Sequence, residues 1–144
     1  MDIRSLNREE LENALPMVWS VFCEYEAVNY PESGKDAFRQ AIRDPQYLDM
    51  LTAFGAFYDG ELVGIIALRE NGTHVALFFV DGRYHRRGIG RALFEACMAE
   101  NDAKRVTVHS SEYAVEVYKR LGFVPSAELR EDGGIRYVPM VYER

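Results

Sequence analysis

The stretch from Val80 to Leu93, VDGRYHRRGIGRAL, ends an apolar run, turns through a cluster of arginines and opens a helical pattern at Gly88-Ile89-Gly90. The start of a helix exposes backbone N–H groups and the positive end of its dipole. Glycine there lets an anion approach without a Cβ in the way. Arg83, Arg86, Arg87 and Arg91 stand against a single acid, Asp81, so the turn carries a local surplus of positive charge. That combination reads as a cradle for a diphosphate; the bland alternative is a glycine-rich helix start with solvated arginines. It is not a P-loop, because Gly90 is followed by Arg91-Ala92 instead of Lys-Ser/Thr. Nor is it a full dinucleotide fingerprint, since Phe94 stands near the third glycine position.

Upstream of the cradle the period is that of strands. His74 to Val80, Leu62 to Leu68 and Phe54 to Tyr58 are apolar runs, separated by the turn signals Asn71-Gly72 and Asp59-Gly60. Further upstream, Asn7 and Glu10 form a capping-box pattern ahead of Leu11, Leu15, Val18, Phe22 and Tyr25, which share one helical face. Pro16 predicts a kink or a break and restart there. Residues 30–34 read as a loop, and a second helix is expected from Lys35 to Arg43, stopped by Asp44-Pro45.

Downstream, Ile89, Leu93, Ala96 and Cys97 line a helix to about Glu100. Arg105 to His109 is a short strand, and Ala114, Val117, Tyr118 and Leu121 mark a helix closed by Gly122. Phe123 to Leu129 and Ile135 to Tyr142 read as a last hairpin across Asp132-Gly133-Gly134. The order is a helix pair, three antiparallel strands, helix, strand, helix, hairpin. It gives an α+β fold, a mixed and mostly antiparallel sheet flanked by helices, in one domain spanning 1–144. A doubly wound fold would alternate strands and helices from the start.

The chain has 144 residues, of which 48% are hydrophobic and 28% charged, a globular profile. Cys23 and Cys97 lie far apart without metal-ligand spacing, and both read as buried thiols of a reducing compartment. No apolar run spans a bilayer and no leader pattern is seen, so the expectation is a cytoplasmic protein with no membrane partner. The net charge of −6, concentrated in the first half of the chain, argues against a nucleic-acid partner.

Two motifs together resemble the GNAT superfamily of acetyl-CoA-dependent N-acetyltransferases. Its phosphate signature, Gln/Arg-x-x-Gly-x-Gly/Ala, is similar to His85-Arg86-Arg87-Gly88-Ile89-Gly90, with His85 in place of Gln or Arg. Its later signature, Asn-x-x-Ala-x-x-x-Tyr-x-x-x-Gly-Phe, is similar to the run from Ser111, with Ala114, Tyr118, Gly122 and Phe123 matching and Ser111 replacing Asn.

The resemblance implies transfer of an acetyl group from acetyl-CoA, used as a co-substrate without a metal, to a primary amine by direct attack in a ternary complex. Cofactor contacts would come from His85, Arg86, Arg87, Gly88, Ile89, Gly90, Arg91 and Ala92, from the Val80 N–H on the thioester carbonyl, and from Ser111. Tyr118 would be the acid that serves the leaving thiolate. His74 and His109 are candidate bases, since an alkylamine with a pKa near ~10 must lose a proton before it attacks. Glu24, Glu26, Tyr30 and Glu32, with Tyr25, are candidates for recognising the acceptor, a small-molecule or protein amine. A homodimer follows only by analogy with the family. The alternative function is a non-catalytic acyl-CoA-binding or regulatory module.

Overall fold

A computed structural model describes all residues 1–144. The elements run β1 (Asp2–Leu6), α1 (Arg8–Val21), α2 (Glu32–Arg43), α3 (Pro45–Asp49), β2 (Thr52–Tyr58), β3 (Glu61–Arg69), β4 (His74–Val80), α4 (Ile89–Ala99), β5 (Arg105–Ser110), α5 (Val115–Leu121), β6 (Val124–Pro125), β7 (Arg130–Asp132) and β8 (Ile135–Glu143). The eight strands follow the order β1-β2-β3-β4-β5-β8-β6, with β7 paired to β8 off that path. All neighbours are antiparallel except β4 and β5. The expected α+β fold is therefore present.

Local chemistry explains most boundaries. The capping box forms, with Asn7 Oδ1 accepting from Glu10 N–H and Glu10 returning the bond to Asn7 N–H. Asp59 and Gly60 have φ of 51° and 80°, the positive values that a two-residue hairpin turn requires. Apolar side chains alternate across the sheet. Ile65, Ala67, Leu77 and Phe79 pack under Leu11, Val18 and Phe22 of the N-terminal helical segment, while Ile66, Leu68 and Val75 pack under Leu93, Cys97 and Leu121.

Several expectations are corrected. α1 continues through Pro16 without a break, and Pro16 sits on its exposed face, so the carbonyl of Glu12, deprived of its N–H partner, is on the water side. The departure from α geometry comes later, as a π turn over Phe22–Glu26 and a 3-10 turn over Ala27–Asn29. α2 starts at Glu32 instead of Lys35, and α3, N-capped by the Asp44 side chain, was not foreseen. β1 was also missed. The final hairpin is β7–β8, and β6 is a separate two-residue strand on β8. Val117 is exposed, as is Cys23, whereas Cys97 is buried.

Candidate active site

Parallel strands β4 and β5 pair at only two positions, His74 with Thr107 and Val75 with Val108. The β3–β4 register shifts at the next residue, Ala76, and a bulge of this kind bends its strand. Beyond it β4 and β5 separate, leaving a gap in the middle of the sheet. Asp81 N–H donates to Val63 O at 2.8 Å. Antiparallel bonds alternate residue by residue, so the N–H groups of Val80 and Phe78 point away from β3, into the gap.

A cavity of about 150 Å³ occupies the gap and reaches both sides of the sheet. Glu26, delivered by the π turn, and Tyr118, from α5, both line it. Burial pushes the Glu26 carboxyl up to about 7, against a smaller opposing pull from the Ser111 hydroxyl. Tyr118 is buried, and desolvation followed by the negative charge of Glu26 holds its phenol well above the ordinary tyrosine range. A second, outer cavity of about 310 Å³ shares Glu26 and Tyr30 with the first and is walled by Tyr25, Tyr113 and Glu112.

The cradle lies beyond the end of β4. Gly88 caps α4 with φ of 79°, and a Cβ placed on it would meet open space; Arg86 also has a positive φ, 65°. The N–H groups of six successive residues, Arg86 to Arg91, have no acceptor within the chain, whereas Ala92 N–H is bonded to Gly88 O at 3.0 Å. Ala92 therefore drops out of the expected set of phosphate donors. The arginines divide. Arg83 is held by Asp81 at 2.9 Å and lies 3.5 Å from Glu61, and Arg91 donates to Arg120 O at 2.7 Å, at the C-terminal end of α5. Arg86 and Arg87 are exposed, with Arg87 over the Tyr84 ring at 5.2 Å. His85 donates from Nε2 to Val80 O at 2.7 Å, and its ring lies 4.8 Å from that of Tyr25, joining the cradle to the helical segment that carries Glu26.

Residues 18–144 match the family described as the acetyltransferase (GNAT) domain. The chain belongs to the GNAT acetyltransferase family. Among solved structures, it resembles a GCN5-related N-acetyltransferase from Rhodopseudomonas palustris with a TM-score of 0.81 at 20% identity, covering 99% of this chain and 95% of that one. The PaiA N-acetyltransferase of Thermoplasma acidophilum, solved in complex with coenzyme A, aligns with a TM-score of 0.70 at 20% identity over 99% and 98% of the two chains. The apo form of YjaB from Escherichia coli gives 0.75 at 21% identity over 98% and 96%. No curated protein matches the sequence.

Within this GNAT fold the sequence-derived candidates separate. Tyr118, Glu26, Tyr30, His109 and Ser111 meet at the inner cavity. His74 does not line it. That ring is buried, its Nδ1 lies 2.8 Å from Thr107 Oγ1, and burial, with Arg69 and His109 nearby, lowers its pKa to about 4, so it stays neutral at ordinary pH. His109 stands at the cavity wall, stacked on Tyr137 at 4.2 Å, with its pKa lowered by burial and by Arg69 and Arg130. Glu32 points outward, 3.4 Å from Lys35 at the start of α2, and Glu24 is exposed; neither lines either cavity. Ser111 lies beside Glu26 and accepts from Ala114 N–H at 3.2 Å ahead of α5. Sequence reasoning missed the chemistry of Glu26, because an α-helical period carried through Phe22 does not aim residue 26 where a π turn aims it. It also missed the aromatic wall of Phe22, Phe38 and Phe79.

Proposed function

We propose that this protein is an acetyl-CoA-dependent N-acetyltransferase that moves an acetyl group to a primary amine by direct attack. The observation that carries the proposal is a carboxyl with a pKa near 7, Glu26, sharing one cavity with a buried phenol, Tyr118, where the central sheet parts. Acetyl-CoA would supply the acyl group as a thioester. The residues fit such a ligand: six unpaired N–H groups from Arg86 to Arg91 and the exposed guanidinium groups of Arg86 and Arg87 suit a diphosphate. The resemblance to PaiA, solved with coenzyme A, supports the same assignment.

Glu26 acts as the base. An alkylammonium with a pKa near ~10 gives up its proton to an ordinary glutamate with a deficit of roughly 5–6 pKa units. Raising Glu26 from 4.5 to about 7 removes close to half of that deficit, about 3 kcal/mol, while leaving the carboxyl half ionised at neutral pH. The Val80 N–H, aimed into the gap, donates to the carbonyl oxygen as negative charge builds there. The new C–N bond forms, the C–S bond breaks, and the electron pair leaves on sulfur. Tyr118 is a tighter proton holder than a thiol, whose pKa is near ~8.5, so its hydroxyl stabilises the departing thiolate by donating a hydrogen bond instead of surrendering its proton. One ammonium proton goes to Glu26 and from there to solvent before the attack, and the second, shed by the nitrogen of the tetrahedral adduct, follows the same route through the re-ionised carboxylate.

The test is thiol release from acetyl-CoA across an amine panel, with calorimetry against coenzyme A. Amine-dependent thiol release that falls strongly in Glu26→Gln at unchanged coenzyme A affinity supports the reading. Saturable coenzyme A binding with no turnover on any amine points to the binding-module alternative.

A further inference from the structure

We infer that the acceptor is an arylalkylamine, a primary amine on a short alkyl arm attached to one flat apolar ring; this rests on the acetyl-transfer reading above. The inner cavity carries the inference through its shape and lining. Phe22 and Phe38 stack with ring centroids 4.1 Å apart, Tyr30 meets Phe22 edge-on at 5.4 Å, and Phe79 lies 5.9 Å from Phe38. These four rings wall the side of the cavity nearest α1 and α2. Aromatic pairs favour such offset and edge-on arrangements, and a ring entering the box finds both kinds of partner. A cavity of about 150 Å³ has room for one benzene-sized body.

The charge pattern narrows the class further. Glu26 is the one carboxyl lining this cavity, and no lysine or arginine does. A polyamine would need a second anion along its length, but Glu112, in the outer cavity, already lies 3.3 Å from Arg136. An amino acid would bring a carboxylate into a wall with no permanent cation. A protein lysine needs an open groove for its flanking backbone, and on the side lined by Phe38 and Ile135 the walls are drawn together. Tyr30 donates to Arg136 O at 3.2 Å, and Gly34 abuts Gly134 so closely that a Cβ on Gly34 would clash with the Gly134 carbonyl oxygen. α2 and the β7–β8 hairpin thus meet beside the cavity, which has room for about one ring of the acceptor.

The experiment measures kcat/KM for acetyl-CoA with 2-phenylethylamine, n-butylamine, spermidine and a lysine-containing peptide, and titrates 2-phenylethylamine into the coenzyme A complex by calorimetry. The expectation is a preference of tenfold or more for 2-phenylethylamine over spermidine and the peptide. Phe38→Trp, which fills the box, should lower that rate tenfold or more and lower n-butylamine turnover by a smaller factor. Phe38→Leu provides the comparison if the larger side chain prevents folding, with the aryl preference shrinking several-fold. Preference for spermidine or the peptide overturns the substrate class and leaves acetyl transfer standing. Saturable binding of 2-phenylethylamine without turnover of any amine supports the class and overturns acetyl transfer. Neither binding nor turnover overturns both.

Discussion

Glu26→Gln should make the protein more stable at alkaline pH while disabling it. The Glu26 carboxyl titrates near 7 in the folded chain against an ordinary 4.5, because burial disfavours its charged form. The folded state therefore holds this proton more tightly than the unfolded state does. Its stabilising contribution is fully present below about 4.5 and is lost as pH rises through about 7. The difference between those two values, at 1.36 kcal/mol per unit, gives a cost of about 3 kcal/mol for keeping Glu26 ionised in its cavity. Glutamine fills nearly the same volume without the charge. Urea unfolding of parent and variant at pH 5 and pH 8 measures the effect, and comparing the two proteins at each pH cancels every other titrating group. The variant should gain up to about 3 kcal/mol at pH 8 and little at pH 5. In the parent, kcat/KM should rise with pH through about 7, and the variant should lose that limb together with most of its activity. An equal stability change at both pH values, or a parent rate that is flat between pH 6 and 8, refutes the reasoning.

Tyr118→Phe should lower kcat by roughly 10- to 100-fold, the loss of one donor to the leaving sulfur, with coenzyme A affinity unchanged by calorimetry. Gly88→Ala forces a Cβ into a backbone conformation with φ of 79°, costing about 1–2 kcal/mol by thermal or urea unfolding and weakening coenzyme A binding. Gly90→Ala should leave stability nearly unchanged in the same unfolding assays, because its Cβ would make only ordinary contacts with Phe78 at 3.6 Å and 3.7 Å. His74→Gln should leave kcat/KM at pH 8 unchanged and reduce acid lability. His74 is held neutral down to about 4, so its stabilising contribution is present above 6.5 and is lost as pH falls from 6.5 through 4, about 3 kcal/mol that a glutamine does not lose.

The cradle and the strands were legible because their signals are local. Asp59-Gly60, Gly88 and Gly122 each occupy positive φ, a requirement few residues meet, and the sequence displays them openly. β1 was invisible because DIRSL holds only two apolar residues, three apart, and is an edge strand recruited by pairing with β2. The site was legible only in part. Tyr118 came from a motif, and Glu26 was noticed as an acidic residue near the acceptor, but its role depends on a π turn and on desolvation by side chains from other elements. His74 and His109 looked equivalent at their strand ends; two residues of parallel pairing before the strands part put one against Thr107 and the other at the cavity. The arginine surplus misled in degree, since Asp81 and the Arg120 carbonyl occupy two of the four side chains.

The measurement that bears most directly on the account is a titration of the ¹⁵N-labelled protein with coenzyme A, followed through its backbone amide resonances. Saturable shifts should be largest at Arg86 to Arg91 and continue through Phe78 and Val80 toward Tyr118, with Ala92 responding less than Gly88 and Gly90. Saturable shifts that bypass Arg86 to Arg91, or no binding at millimolar coenzyme A, would contradict it.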